Sequence, residues 1–145
     1  MSELLTVTRE ISAEPEVLFD AWTDPQKLTQ WWGPAGVTCP AASVDLCVGG
    51  AYSITNRLPD GRQIIISGEY LAVERSRLLA FTWRLDSDHD DDGTQTVNVR
   101  FVPIEQGTRV VVVHHRIPNE VVRQDHDAGW QGTLDGLREF VARRR

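Results

Sequence analysis

The sequence has few of the features that mark a metal-dependent, secreted or membrane-spanning protein. Cys39 and Cys47 are the only cysteines in 145 residues. They are not in CxxC spacing, so we expect two buried thiols in the reduced state. No apolar run approaches the roughly 18 residues that a membrane-spanning helix needs. The first ten residues alternate in polarity and include acids, unlike a signal peptide, so we expect a cytoplasmic protein.

An excess of positive charge is also missing. Fifteen basic residues are outnumbered by 21 acidic ones, which gives a formal net charge of −6. Such a protein repels phosphate groups, and we therefore expect no nucleic-acid partner. The sequence also has no glycine-rich phosphate-binding loop and no nucleophile-elbow motif.

One acidic segment, Asp88–Gly93, is similar to the start of a calcium-binding loop, because aspartates at alternating positions precede a glycine. The twelfth position of such a loop would be Val99, where a bidentate glutamate is required. Predicted strands, not helices, flank the segment. We therefore predict a solvent-exposed hairpin turn here, and we expect neither a metal site nor a cofactor in this protein.

Tryptophan, in contrast, is abundant. The sequence contains five tryptophans, and two of them, Trp31 and Trp32, are adjacent at the end of a predicted short helix. Neighbouring side chains on a helix differ in direction by about 100°, so one indole can pack inward while the other faces a cavity mouth or solvent. Two interpretations are open: both indoles serve as packing, or at least one contacts a ligand.

Hydrophobic periodicity predicts a strand, two short helices, about six further strands and a long C-terminal helix. The first strand is predicted from Leu5 to Ile11, and Ser12 is the expected cap of the first helix. Prolines near the start of each short helix support those assignments. The last helix is predicted over residues 119–145. Its apolar stripe contains Val122, His126, Trp130, Leu134, Leu137 and Val141.

These elements predict an α+β fold in which a curved antiparallel sheet of about seven strands wraps around the long helix. The gap between sheet and helix would be closed at one end by the two short helices. Gly129, Gly132 and Gly136 form a second stripe on the long helix, so we expect another element or a ligand to approach it closely. Alternation predicts the inward side chains of the sheet to be Tyr52, Ile54, Leu79, Phe81, Trp83, Leu85, Val97, Val99, Phe101, Val110, Val112 and His114.

Several short motifs occur in an order and spacing typical of one family. They are Ala21–Pro25, Trp31–Pro34, Gly49–Tyr52, Pro59–Gly61, Gly68–Leu71, Arg77–Trp83, Gly107–Val110 and Gly129–Trp130 with Leu134 and Leu137. Together they resemble the activator of heat-shock protein 90 ATPase homologue family over roughly residues 4–142. The resemblance implies a single START-like (SRPBCC) domain over residues 1–145. It also implies the helix-grip fold of the birch-pollen allergen, with a deep hydrophobic cavity.

The resemblance implies less about function. Members of the superfamily mostly bind lipids, sterols and other apolar molecules, and some are cyclases or hydroxylase subunits. The eukaryotic namesake stimulates a chaperone ATPase as part of a longer chain, which links the family to the stress response. The additional N-terminal domain of that namesake is not in this sequence, so we do not expect a chaperone partner. The family has no shared catalytic motif to carry over.

We therefore expect a binding protein for a small hydrophobic or aromatic molecule, without catalytic residues, rather than an enzyme. One alternative is a cyclase- or hydrolase-like enzyme with His114 or His126 as the acid–base residue. Another is a stress- or chaperone-linked interaction module with an exposed apolar patch that includes Trp32. An exposed strand edge could also pair in a homodimer. The predicted ligand-binding residues are Trp31, Trp32, Tyr52, Ile54, Phe81, Trp83, Val99, Phe101, Val112, His114, His126, Trp130 and Leu134.

Overall fold

A computed structural model describes residues 3–34, 36–86 and 95–143. The segment Asp88–Gly93, predicted as a turn, lies outside the described residues. The elements are, in chain order, β1 (Glu3–Ile11), α1 (Pro15–Thr23), α2 (Pro25–Trp31), β2 (Thr38–Val44), β3 (Ala51–Arg57), β4 (Gln63–Glu74), β5 (Leu78–Thr82), β6 (Arg84–Leu85), β7 (Thr96–Ile104), β8 (Gly107–Ile117) and α3 (Glu120–Arg143).

The two short helices begin at prolines, as predicted, because a proline at the first position fixes a helical φ where no N–H is required. The residue that caps α1 is Glu14, so the prediction of Ser12 as the cap is wrong. Asp24 ends α1 and starts α2, since its carboxylate accepts a hydrogen bond from the Gln26 N–H at 2.9 Å. The extended backbone of this shared residue separates the two helices.

All neighbouring strands pair antiparallel, in the order β1-β8-β7-β5-β4-β3-β2, and β6 also pairs with β4. The alternating inward positions from Leu79 to Leu85 do not form one continuous strand: the strand is interrupted at Trp83, because β4 changes partner near Gly68. A Cβ at Gly68 would lie 2.2 Å from the Thr82 carbonyl oxygen, so only glycine allows this close approach. The approach lets the sheet bend around the helix.

The predicted inner face of the sheet is confirmed. Every residue predicted to point inward is buried, apart from Leu85, which is half-buried. Cys39 is buried as well, but Cys47 is exposed, so the prediction of two buried thiols is wrong for Cys47. Cys47 lies in the connection after β2 and not on the inner face of a strand.

The long helix α3 begins one residue later than predicted, and its cap is Asn119, whose side-chain oxygen accepts from the Val122 N–H at 3.0 Å. Polar contacts fasten α3 to the edge strand β1. Arg9 forms an ion pair with Asp135 at 2.9 Å, and Arg123 donates to the Leu4 carbonyl at 3.0 Å. Together these elements form the predicted α+β helix-grip fold. None of the described helices is long and apolar enough to cross a membrane.

Two glycines on the same face of α3 have opposite surroundings. A Cβ at Gly136 would lie 2.8 Å from the Trp31 carbonyl oxygen, so the end of α2 packs directly against the helix backbone there. A Cβ at Gly129 would meet nothing within 4 Å. The expected close approach therefore occurs at Gly136, while Gly129 lies beside open space.

This difference predicts opposite effects of the same substitution on stability. We expect Gly129→Ala to raise the free energy of unfolding by about 1 kcal/mol, since alanine is the better helix former and meets no obstacle. Gly136→Ala should lower it, because the steric conflict with Trp31 exceeds the helix-propensity gain. Urea denaturation of both variants checks the pair. An equal shift in both would show that the spacing between α2 and α3 does not matter.

Candidate functional site

All five tryptophans form one continuous cluster. Trp22 of α1 lies 5.2 Å from Trp31 and 6.1 Å from Trp130, measured between ring centroids. Trp130 of α3 lies 5.7 Å from Trp32 and 5.3 Å from Trp83. Trp83 and Trp130 thus approach each other from the sheet and the helix. The cluster joins the short helices, the long helix and the sheet.

The adjacent pair within this cluster is buried, with Trp31 4% and Trp32 5% exposed. Trp31 ends α2 and donates its indole N–H to the Ala21 carbonyl at 2.9 Å. Trp32 has left the helix and has an extended backbone, so helical spacing does not set its direction. Trp31 thus packs against α1, whereas Trp32 borders a cavity.

That cavity lies between the sheet and the N-terminal half of α3 and has a volume of about 380 Å³. Its walls are mainly apolar and include three indole rings. The lining residues are Trp32, Pro34, Val37, Asn56, Leu58, Ile64, Ile66, Trp83, Leu85, Asp125, His126, Gly129, Trp130 and Thr133.

Few polar groups line the cavity. Asn56 and Thr133 are buried, whereas the carboxylate-bearing residue Asp125 is exposed at the rim. The Trp83 indole N–H is buried and has no hydrogen-bond acceptor among the described residues. An unsatisfied buried donor costs roughly 1–3 kcal/mol and is unusual in a well-packed core. The described lining residues include no lysine or arginine.

Behind the cavity wall, His114 forms a buried hydrogen-bond chain between sheet and helix. Its Nδ1 accepts from the Trp130 indole N–H at 3.1 Å, which leaves the proton on Nε2. Nε2 lies 3.0 Å from the Gln95 side-chain oxygen and donates to it. Both ring nitrogens of His114 are thus engaged within the protein, and the side chain is 0% exposed.

The surroundings of His114 favour its neutral form. Burial, followed by the neighbouring His126 and His115 rings, lowers the pKa of His114 from 6.5 to about 3. The His126 ring centroid lies 4.8 Å from that of His114, and His126 also lines the cavity. Of the two histidines, only His126 therefore reaches the cavity.

The predicted ligand-binding residues fall into three places. Trp32, Trp83, His126 and Trp130 line the cavity. Tyr52, Ile54 and Phe81, together with Trp32, line a separate void of about 10 Å³, which is no larger than a single water requires. Trp31, Val99, Phe101, Val112, His114 and Leu134 are buried in the core and line neither space. Their role as ligand contacts stays a prediction.

Several lining residues were not predicted as ligand contacts, although the sequence carries a signal for some of them. Asn56 continues the inward alternation of Tyr52 and Ile54 along β3. Ile64 and Ile66 share one face of β4 by the same rule. On α3, Gly129 and Thr133 lie three and seven residues after His126, on its side of the helix.

Another depression, of about 560 Å³, lies beside the β7–β8 turn and the start of α1. Most of its lining residues, such as Glu14, Glu105 and Gln106, are exposed. It is therefore a surface groove rather than an interior site. Among the described residues, no group of three or more His, Cys, Asp or Glu side chains could hold a metal ion.

Comparison with known proteins agrees with this architecture. The family model for Activator of Hsp90 ATPase homolog 1-like protein matches residues 12–142. The chain belongs to this family. The family resemblance predicted from the sequence motifs is thus confirmed. None of the curated proteins that were compared matches the chain.

Solved structures of similar proteins cover nearly the whole chain. A protein from Chromobacterium violaceum is 28% identical, with 95% of this chain and 96% of that chain covered and a TM-score of 0.86. The AHSA1 protein from Silicibacter pomeroyi is 28% identical, with 99% and 100% covered and a TM-score of 0.84. An AHSA1-like protein from Aeromonas hydrophila is 26% identical, with 98% and 94% covered and a TM-score of 0.82. These three solved structures support the fold of the chain.

The burial of neutral His114 predicts a specific pH dependence of stability. The pKa of His114 is about 3 in the folded protein and near 6.5 in the unfolded chain. As the pH falls, the unfolded chain therefore takes up the proton at a higher pH than the folded protein does. The contribution of His114 is fully present above pH 6.5 and is lost as the pH falls toward 3, by up to about 1.4 kcal/mol per pH unit. Urea denaturation between about pH 7 and pH 4 should therefore show a shallower pH dependence in His114→Gln than in the wild type.

Circular dichroism at neutral pH first confirms that His114→Gln is folded. If His114→Gln and the wild type lost stability in parallel over this range, His114 would not be neutral in the folded protein.

Proposed function

We propose that this protein binds a small, largely apolar aromatic molecule in the cavity between the sheet and α3. The observation that carries the proposal is the cavity itself, with about 380 Å³ of space and walls built mainly from apolar side chains. Small-molecule sites commonly have volumes of roughly 300–1,000 Å³ and a few convergent polar groups. Asn56, Thr133 and His126 contribute polar side chains to this lining.

The volume limits the size of the ligand. An apolar cavity of about 150 Å³ is enough to hold benzene. A cavity of about 380 Å³ therefore suits a molecule of two or three rings. Three indole rings in the wall favour flat aromatic surfaces, since large aromatic side chains supply extensive contact area and specific ring geometries.

The alternative functions receive less support. An acid–base role for His114 is disfavoured because both its nitrogens bond within the protein and the residue is buried. His126 reaches the cavity, but the geometry of the described residues around it favours no particular reaction. A protein-interaction module built around Trp31 and Trp32 is disfavoured because both are buried. A lipid as the ligand, a homodimer and a cytoplasmic location stay predictions.

A substitution at Gly129 tests ligand binding without disturbing the core. A leucine there would extend from the cavity wall into open space, because nothing lies within 4 Å of the new Cβ. We expect Gly129→Leu to weaken binding of the neutral fluorescent probe N-phenyl-1-naphthylamine by at least about tenfold, since filled volume is lost to the ligand. Titration followed by probe fluorescence measures the affinity.

Gly129→Ala is the matched control, because it adds only a methyl group and should leave probe affinity within about a factor of two to three. Urea denaturation confirms that both variants are folded. Saturable probe binding that is equally strong in Gly129→Leu would place the probe elsewhere and contradict the proposal. Absence of saturable binding by the wild type would contradict it for aromatic ligands of this size.

A further inference from the structure

We infer that the cavity selects ligands by charge: it takes an aromatic molecule that carries a protonated amine in preference to one that carries a carboxylate. The inference rests on the proposed function and specifies the class of ligand. Three observations support it. Asp125 lies at the rim of the cavity, and three indole rings form part of its wall. The described lining includes no basic side chain other than His126.

Asp125 provides a negative charge at the rim. It lies on the second turn of α3, is exposed, and forms no ion pair with the described residues. The acids nearest to it on the helix have other partners: Asp127 accepts from Gln131 at 3.0 Å, and Glu120 pairs with Arg123 at 3.6 Å. An ammonium group at the rim would meet a carboxylate and stay in contact with water, which avoids the large cost of burying a charge.

The aromatic wall also favours a cation. Trp130 stands between the other two lining indoles, with its plane at 80° to Trp32 and at 42° to Trp83. The three rings therefore form an angled wall. The face of an indole attracts a cation through its quadrupole, and tryptophan is the strongest of the aromatic side chains in this respect.

An anionic ligand would find few compensating groups. A carboxylate needs positive charge or several directed N–H donors, and the described lining residues offer no arginine or lysine. Asp125 would repel it from the rim. The positive N-terminal end of α3 acts only over the first turn, where Glu120 already lies.

A matched set of three ligands on one ring system tests this inference. They are 1-naphthylmethylamine as the cation, 1-naphthalenemethanol as the neutral reference and 1-naphthoate as the anion. We expect the amine to bind about fivefold more tightly than the alcohol, and at least about tenfold more tightly than the carboxylate. Calorimetric titration near pH 7 at about 0.15 M salt limits nonspecific attraction to the acidic protein.

Two variants, each of which removes one negative charge from α3, test whether Asp125 causes the preference for the amine. Asp125→Asn should reduce the advantage of the amine over the alcohol by about threefold while the affinity for the alcohol stays unchanged. Asp127→Asn removes the same charge on the same helix from a residue that does not line the cavity, and should preserve the wild-type ratio. Gly129→Leu should weaken binding of both the amine and the alcohol.

The outcomes separate the inference from the proposed function. If the alcohol binds and the amine binds no more tightly, or the carboxylate binds most tightly, the charge preference is overturned and the aromatic site stands. An equal loss of preference in Asp125→Asn and Asp127→Asn would assign it to overall charge and overturn the role of Asp125. If none of the three ligands binds, the proposed function fails and the inference fails with it.

Discussion

The hydrogen bond from the Trp130 indole to His114 joins the long helix to the sheet, and the cavity depends on it. His114 can accept this bond only on an unprotonated Nδ1, while its Nε2 proton is donated to Gln95. A rotation of the histidine ring, or its protonation, would leave at least one buried polar group without a partner. The chain of three side chains therefore fixes Trp130, which forms part of the cavity wall.

The cavity exists because α3 packs unevenly along its length. Gly136 and Gly129 are seven residues apart and share one face of the helix. At Gly136 that face touches the backbone at the end of α2, whereas at Gly129 it borders open space. The helix thus closes the gap at one end and leaves it open at the other. The ion pair between Arg9 and Asp135 helps to hold the closed end against β1.

Most of the fold could be predicted from the sequence, because a half-buried strand and an amphipathic helix each leave a regular pattern. The inner face of the sheet follows from alternation, and the start of each short helix follows from its proline. The break at Trp83 could not be predicted, because it depends on the close approach of Gly68 to Thr82. These residues lie on two different strands that meet only in the folded protein. The exposure of Cys47 depends likewise on the path of a connection without a periodic pattern.

The candidate site was less predictable for a related reason. Periodicity separates inner from outer residues, but it does not tell which inner residues contact each other and which border a space. Val112 and Phe101 have the same inward parity as Trp83, yet only Trp83 lines the cavity. The difference arises because α3 lies nearer to β1 than to β4 and β6, so the gap opens over one side of the sheet.

The adjacent pair Trp31 and Trp32 shows how one cluster can be both core and wall. Trp31 is held by its bond to Ala21 and contacts Trp22, which in turn stacks on Trp130. Trp32 contacts Trp22 and Trp130 and borders the cavity. Because each lining indole packs against further indoles or histidines, the wall keeps its shape without a ligand. A wall formed in advance lowers the ordering cost of binding, so that few polar contacts suffice to orient an aromatic molecule.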